Sequence, residues 1–503
     1  RCTSSAASDV YKRQVSAQSG KMIPGDTMSG EPLPGVSQRD GPFDLSVDIL
    51  IVGAGACGLT AALAAREVAG EDAEILVLER DRSPSGSTSL SSGFIPAAGT
   101  TMQRAAGVRD TPEMLAADIQ AKAHGRAYSP LVNRVAAESG SAITWLHQDH
   151  GLPFILIDGF LYPGHSVLRM HAMPERTGAA LQAALLGAAA NAGLDIATGL
   201  QVDTLFTGAD GRIAGVSALA HDGSRQDVGC GCLILACNGY GGNAALVKQH
   251  IPEMADALYF GHDGNQGEAV IWGDALGACL ADMSGYQGHG SVAHPHGALI
   301  SWALMMEGGI LVNAAGARFS NEHAGYSEQA PRVNSQPDQC AYVLIDDRLL
   351  ALARDFPDFC GAEQAGALIS AASASDMEAR LGFDTGALAA TLDQVASAQA
   401  GRQTDSFGRD FTTKPALQAP FHAIRVTGAL FHTQGGLDIN LDAEVLDRTG
   451  QPLGNLLAAG GAARGVSGPD VSGYLSGNGL LTAITLGRIA GQRAGILATT
   501  KQS

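Results

Sequence analysis

The sequence lacks any uninterrupted run of the ~18 apolar residues that a membrane-crossing helix needs. It also lacks a Lys/Arg stripe, and its net charge of −18 opposes the phosphates of nucleic acid. The eight cysteines form no CxxC pair, CxxCH haem site or iron–sulfur run, so no built-in one-electron centre is expected. Cys230, Cys232 and Cys237 lie on an apolar, strand-like stretch and read as buried free thiols. A reducing cytoplasm suits that cysteine usage. His289, His294 and His296 have no acidic or cysteine neighbour at ligand spacing, so no metal is expected. Residues 1–46 are polar and Pro/Gly-rich, with no apolar core of a signal peptide. They are set apart as a disordered or non-native leader. Arg1–Gln14 resembles translated sequencing-adaptor sequence, which makes Met22 or Met28 the expected start.

What is present is a chain of 503 residues, 45% hydrophobic and only 16% charged. Single cores stop growing near ~250–300 residues, so two or more domains are expected. Its 65 glycines follow no Gly-X-Y period and cluster where backbone turns sharply or approaches a ligand. The apolar run Val47–Val52 reads as a buried strand. It leads into Gly53-Ala54-Gly55-Ala56-Cys57-Gly58 and then a helix from Leu59 to about Val68. A second strand, Ile75–Leu78, ends in Glu79. In this setting GxGxxG is a dinucleotide fingerprint. Gly53 allows the tight turn, Gly55 lets backbone reach a pyrophosphate, and Gly58 lets helix and strand pack closely. The helix start offers free N–H groups and the positive dipole end, while Glu79 accepts from ribose hydroxyls.

The segment after Glu79, Ser85-Gly86-Ser87-Thr88-Ser89-Leu90-Ser91-Ser92-Gly93, is a long hydroxyl-rich turn unlike the continuation of an NAD domain. From here the chain resembles the flavoproteins related to fumarate reductase and succinate dehydrogenase. The resemblance continues through Leu233–Asn243, Asp263-Gly264-Asn265-Gln266-Gly267, His432-Thr433-Gln434-Gly435-Gly436, Asn455–Gly460 and Gly477-Asn478-Gly479-Leu480-Leu481. It implies an α/β fold: a discontinuous Rossmann-like FAD-binding domain (47–284 and 426–499) with an inserted α+β capping domain (285–425). It further implies that FAD is held by Gly53, Gly55, Ala56, Cys57, Gly58, Glu79, Arg80, Ser87, Thr88, Ser92, Gly93, Asp263, Gly460, Gly461, Gly479, Leu480 and Leu481. Gly461 stands where the family often has glutamate. No histidine occupies Ser85–Gly93, where membrane-complex members attach the cofactor, so noncovalent FAD is expected. A second nucleotide fingerprint is absent, which leaves electrons to a diffusible partner.

The resemblance also implies catalytic positions. Fumarate reductases use two histidines and two arginines, and the histidines survive here as His289 and His432. Tyr326 and Tyr474 occupy the arginine positions. A dicarboxylate site needs fixed positive charge, which a guanidinium supplies bidentately. A phenol offers one neutral donor, suited to a carbonyl oxygen. Asn321-Glu322-His323-Ala324-Gly325-Tyr326 resembles the arrangement in 3-ketosteroid dehydrogenases, which implies that Tyr326 transfers the α-proton. Tyr474 and the Gly477 N–H then hold the carbonyl oxygen. The expected function is α,β-dehydrogenation of a ketone, steroid-like or a smaller cyclic one, or the reverse enone reduction. The alternatives are a fumarate reductase-like reductase of an unsaturated acid and a non-catalytic electron-transfer flavoprotein. Tyr162 and His171 are candidates for the pocket entrance.

Overall fold

The computed structural model describes residues 35–501. Most of the segment set apart at the N-terminus, residues 1–34, lies outside them. Two sheets organise the described chain. The first has nine strands, and its parallel centre runs Arg225–Leu235, Leu45–Val52, Ile75–Glu79, Asp195–Thr198. Leu50 aligns with Leu233 on one side and Leu76 on the other, and Ile49, Leu50 and Ile51 are completely buried. Each such aliphatic side chain contributes ~1.5–3 kcal/mol on burial, and burial on both faces accounts for the unbroken apolar run. The sheet begins earlier than the sequence boundary at residue 47. Gly35–Gln38 pairs in parallel with Leu200–Thr207, and the first central strand starts at Leu45. Those outer strand residues are partly exposed, so no apolar pattern advertised them.

Helix Ala56–Ala69 follows the glycine turn and packs along the long C-terminal helix Asn478–Lys501. Their close approach depends on glycines four apart. A Cβ at Gly487 would lie 2.6 Å from the Cys57 carbonyl oxygen, and one at Gly491 would lie 2.1 Å from that of Ala61. The expected loop Ser85–Gly93 contains a short helix, Gly86–Leu90, whose Thr88 is buried.

The second sheet has seven strands built around the thirteen-residue Phe421–Thr433. This strand pairs with Tyr286–Ala293, Cys340–Asp346, Leu258–Tyr259 and Leu368–Ala371. It runs through the sequence boundary at 425/426 without a break. Among the described residues no helix is long and apolar enough to cross a membrane.

Candidate active site

The glycine turn is tight by necessity. Gly53 has φ +107°, and a Cβ at Gly58 would sit 1.8 Å from the Gly53 carbonyl oxygen. Gly55 caps helix Ala56–Ala69 with no side-chain hydrogen bond, so the helix start is open apart from Ala56 N–H, which donates to Thr88 Oγ1 at 2.9 Å. Glu79 lies at the strand end, nearly buried. Its carboxylate accepts from Ala54 N–H at 2.8 Å and Asp81 N–H at 2.9 Å, which fixes it beside the turn. Ser87 Oγ accepts from Asn238 at 2.8 Å and Asn265 at 3.0 Å, tying the hydroxyl-rich segment to the turns after the later strands. Gly460 lies against Cys57, and burial pushes that thiol up to about 12, so it remains protonated.

Among the other expected cofactor residues, Ser92 and Asp263 are exposed, and Arg80 donates to the Gly264 carbonyl at 2.8 Å, with Glu268 3.5 Å away. The rest of the constellation fits FAD: a glycine cradle that any Cβ would fill, an open helix N-terminus, and a buried carboxylate at the second strand end. Gln182 adds to it. Its Nε2 donates to the Ala54 carbonyl at 2.7 Å, while its buried Oε1 has no hydrogen-bond partner.

The four expected catalytic side chains converge from separate elements. Strand pairing sets His289 opposite Ala429 and Gln287 opposite His432, which brings the two histidines onto adjacent strands. His289 stacks on Tyr326 at 5.0 Å and on Phe431 at 5.5 Å, with Trp302 edge-on at 5.6 Å. Burial in this aromatic box drives its pKa down to about 3, and its Nδ1 has no hydrogen-bond partner. His432 lies edge-on to Tyr474 at 5.5 Å, receives Gln434 Nε2 at 3.0 Å, and is held by burial near about 4. Both imidazoles are therefore neutral at physiological pH.

Tyr326 opens helix Tyr326–Asn334, and its ring lies 6.3 Å from that of Tyr474. Its hydroxyl is 3.1 Å from Ser476 Oγ. Burial, then the neighbouring Tyr474, hold the Tyr326 phenol well above its ordinary value. Burial raises Tyr474 too, opposed by the backbone amides of Gly479 and Gly477, which places its oxygen at the start of the C-terminal helix. Gly477 has φ +88°, and a Cβ there would strike Pro96 at 2.5 Å.

Ser476 escaped the sequence reading, although it sits between Tyr474 and Gly477; nothing in a lone serine reveals which way its hydroxyl points. Its carbonyl is 2.9 Å from His165 Nε2, another buried imidazole, which burial holds near about 4. Gln434, Ser467 and Asn478 form a further buried chain, with bonds of 2.8 and 3.0 Å. Of the two entrance candidates, His171 is fully buried, 2.9 Å from Thr100 Oγ1. Tyr162 packs edge-on to Phe94 and Phe160, and burial raises its phenol to about 12.

Glu322, in the motif leading to Tyr326, is structural. It is wholly buried and receives Arg318 at 2.7 and 2.9 Å, Arg409 at 3.0 Å and Leu311 N–H at 3.1 Å. Three nearby cations are likewise paired: Arg169 with Asp110 and Asp118, Arg464 with Asp282 and Asp438, Lys122 with Glu328.

The chain is 29% identical over 452 residues to the NADH:fumarate oxidoreductase of Klebsiella pneumoniae (strain 342), covering 89% of this chain and 48% of that protein. It thus spans about half the length of that relative. It matches the open conformation of a flavocytochrome c3 fumarate reductase with a TM-score of 0.77 and 27% identity, over 90% of this chain and 79% of the other. It matches the 3-ketosteroid Δ4-(5α)-dehydrogenase of Rhodococcus jostii RHA1 with a TM-score of 0.73 and 26% identity, over 93% of this chain and 99% of the other. The model of the family described as FAD binding domain matches residues 48–480, and the chain belongs to that family.

Proposed function

We propose that the protein is an FAD-dependent oxidoreductase that acts on the CH–CH bond next to the carbonyl of a neutral ketone or enone. The observation that carries this reading is the pair of buried phenols, Tyr326 and Tyr474, with ring centres 6.3 Å apart and Ser476 Oγ on the Tyr326 hydroxyl. The Gly53–Gly58 turn, Glu79, the Ser87–Thr88 segment and the start of the C-terminal helix would hold FAD noncovalently, and the bound flavin would supply two-electron redox chemistry.

The chain's own groups manage the proton and the oxygen. Tyr474 donates to the carbonyl oxygen, with the Gly477 N–H as second donor, so charge that develops there meets two fixed dipoles. Tyr326 exchanges the α-proton. Its phenol rests protonated, so in enone reduction it donates directly. In ketone dehydrogenation its proton must first be released to solvent, and Ser476 Oγ, at 3.1 Å, would then donate a hydrogen bond to the phenolate that accepts the α-proton. The same atoms serve both directions, with the electron partner setting which one runs. The aromatic box around the neutral His289 excludes water and adds no cation.

Reduction of an unsaturated acid is the second reading, favoured by the fumarate-reducing relatives. It is opposed by the absence of arginine at positions 326 and 474 and by the pairing of Arg169, Arg464 and Lys122 with carboxylates. Burying a carboxylate without a counter-charge costs several kcal/mol. Anaerobic mixing separates the readings. Oxidised protein bleached by saturated cyclic ketones, or reduced protein reoxidised by the matching enones, supports the proposal. Reoxidation by fumarate and by no enone refutes it.

A further inference from the structure

The two active-site tyrosines come from segments about 150 residues apart, yet both rest on one short stretch of chain, the end of helix Pro112–Lys122 and residues 123–127. On one side, Lys122 Nζ pairs with Glu328 and donates to the Ala324 carbonyl at 3.2 Å. Ala324 and Glu328 each stand two residues from Tyr326, one before it and one within its helix. Gly325 lies directly on the ion pair: a Cβ there would come within 2.4 Å of Glu328 Oε2 and 3.0 Å of Lys122 Nζ, and its φ is +129°. On the other side, a Cβ at Gly473 would meet Ala123 Cα at 3.4 Å, and one at Gly468 would meet Ala127 N at 3.1 Å. Arg126 reaches Asp470 and Ser472, both at 3.3 Å. The turn that presents Tyr474 is thus packed against the residues that directly follow Lys122.

The ion pair is well shielded, with Lys122 19% and Glu328 11% exposed. A pair so placed is directional, because breaking it leaves a charge with little water to replace its partner. Glu328 Oε2 has no hydrogen bond of its own, so Lys122 is the group that restrains that carboxylate.

We propose that Lys122 is a positioning residue: by holding Ala324 and Glu328 on either side of Tyr326, it fixes that phenol's distance from Tyr474 and Ser476. The proposal rests on the tyrosine-based reading above for its catalytic consequence, but its structural content stands apart from it. A misplacement near ~1 Å far from the chemistry can cost on the order of 100-fold in rate, so a lost anchor acts on kcat more than on substrate binding.

The test compares Lys122→Met, Lys122→Arg and Glu328→Gln with the unaltered FAD-loaded protein, by hydrogen–deuterium exchange and by steady-state kinetics on the substrate found in the ketone and enone screen. Lys122→Met is expected to speed exchange in peptides covering 321–334 and leave those covering 53–65 unchanged. It should also lower kcat by about 10- to 100-fold with KM within about threefold. Glu328→Gln should behave similarly. Lys122→Arg, which keeps charge and donors, should restore slow exchange and most of kcat. Unchanged exchange over 321–334 in Lys122→Met overturns the proposal, as does a KM rise at constant kcat. If Lys122→Met loses FAD altogether, Lys122→Arg and Glu328→Gln decide: equal exchange in those two refutes the anchor. Faster local exchange in a protein that turns over no ketone or enone leaves the anchor standing and overturns the substrate reading instead.

Discussion

Tyr326→Phe removes one oxygen and keeps the ring. The phenyl group still stacks on His289 at 5.0 Å and faces Tyr474 at 6.3 Å, so the walls of the site stay in place. What is lost is the hydroxyl 3.1 Å from Ser476 Oγ. Two magnitudes follow. A positioned general acid or base is worth ~10²–10⁴ in rate, or ~2.7–5.5 kcal/mol of barrier. Ser476, only 6% exposed, loses a partner, which costs ~1–3 kcal/mol of stability at most, since its hydroxyl can rotate toward another acceptor. The variant should therefore fold, bind FAD stoichiometrically and fail at the proton step. Anaerobic stopped-flow measurement of flavin absorbance at saturating ketone or enone reads that step directly. A rate within about threefold of the unaltered protein, with FAD content equal, would remove Tyr326 from the mechanism.

Three further outcomes are expected. Glu322→Gln leaves Arg318 and Arg409 facing a neutral amide in a dry site and should cost ~3–5 kcal/mol in urea unfolding; a loss below ~1 kcal/mol refutes the assignment of Glu322 as a buried structural anchor. Acid should weaken the fold in a defined order. The folded pKa values of His289 and His432, about 3 and about 4, lie below the ordinary ~6.5, so their contribution is complete above that value and is lost as pH falls toward the folded values. Burial raises Glu322, but Arg318 and Arg409 outweigh it and hold the carboxyl below its ordinary range, so its contribution is lost on further acidification. A thermal midpoint that stays level between pH 7 and 4 contradicts this, as does a kcat/KM step near 6.5 that disappears in His289→Phe or His432→Phe. Gly58→Ala puts a Cβ 1.8 Å from the Gly53 carbonyl and should give colourless or insoluble protein; a yellow variant with an unchanged melting temperature would show that the turn is not tight.

Much of the molecule was legible from its residues in order. Buried parallel strands read as unbroken apolar runs, and a glycine turn between strand and helix is a local feature, so Leu45–Val52, Gly53–Gly58, helix Ala56–Ala69 and Ile75–Glu79 were recognisable with small errors at their ends. The likeness to FAD-binding flavoproteins rested on further motifs spread from Ser85 to Leu481. The edge strand Gly35–Gln38 was not legible, because its partly exposed residues carry no alternation and its partner lies over 160 residues away. Ser92 and Asp263 looked equivalent to Ser87 in sequence, and only packing separates the exposed from the inward-facing.

The sequence by itself determined that the chain carries Tyr326, Tyr474, His289 and His432 and the glycine turn Gly53–Gly58 of a dinucleotide site. Tertiary structure alone decided that His289, Tyr326, His432 and Tyr474 meet, that burial keeps all four neutral, that Ser476 touches the Tyr326 phenol, and that Lys122 bonds to residues on either side of it. The physical reason is that identity and spacing are properties of neighbours along the chain. Orientation, desolvation and ion pairing arise only where distant segments pack and water is excluded.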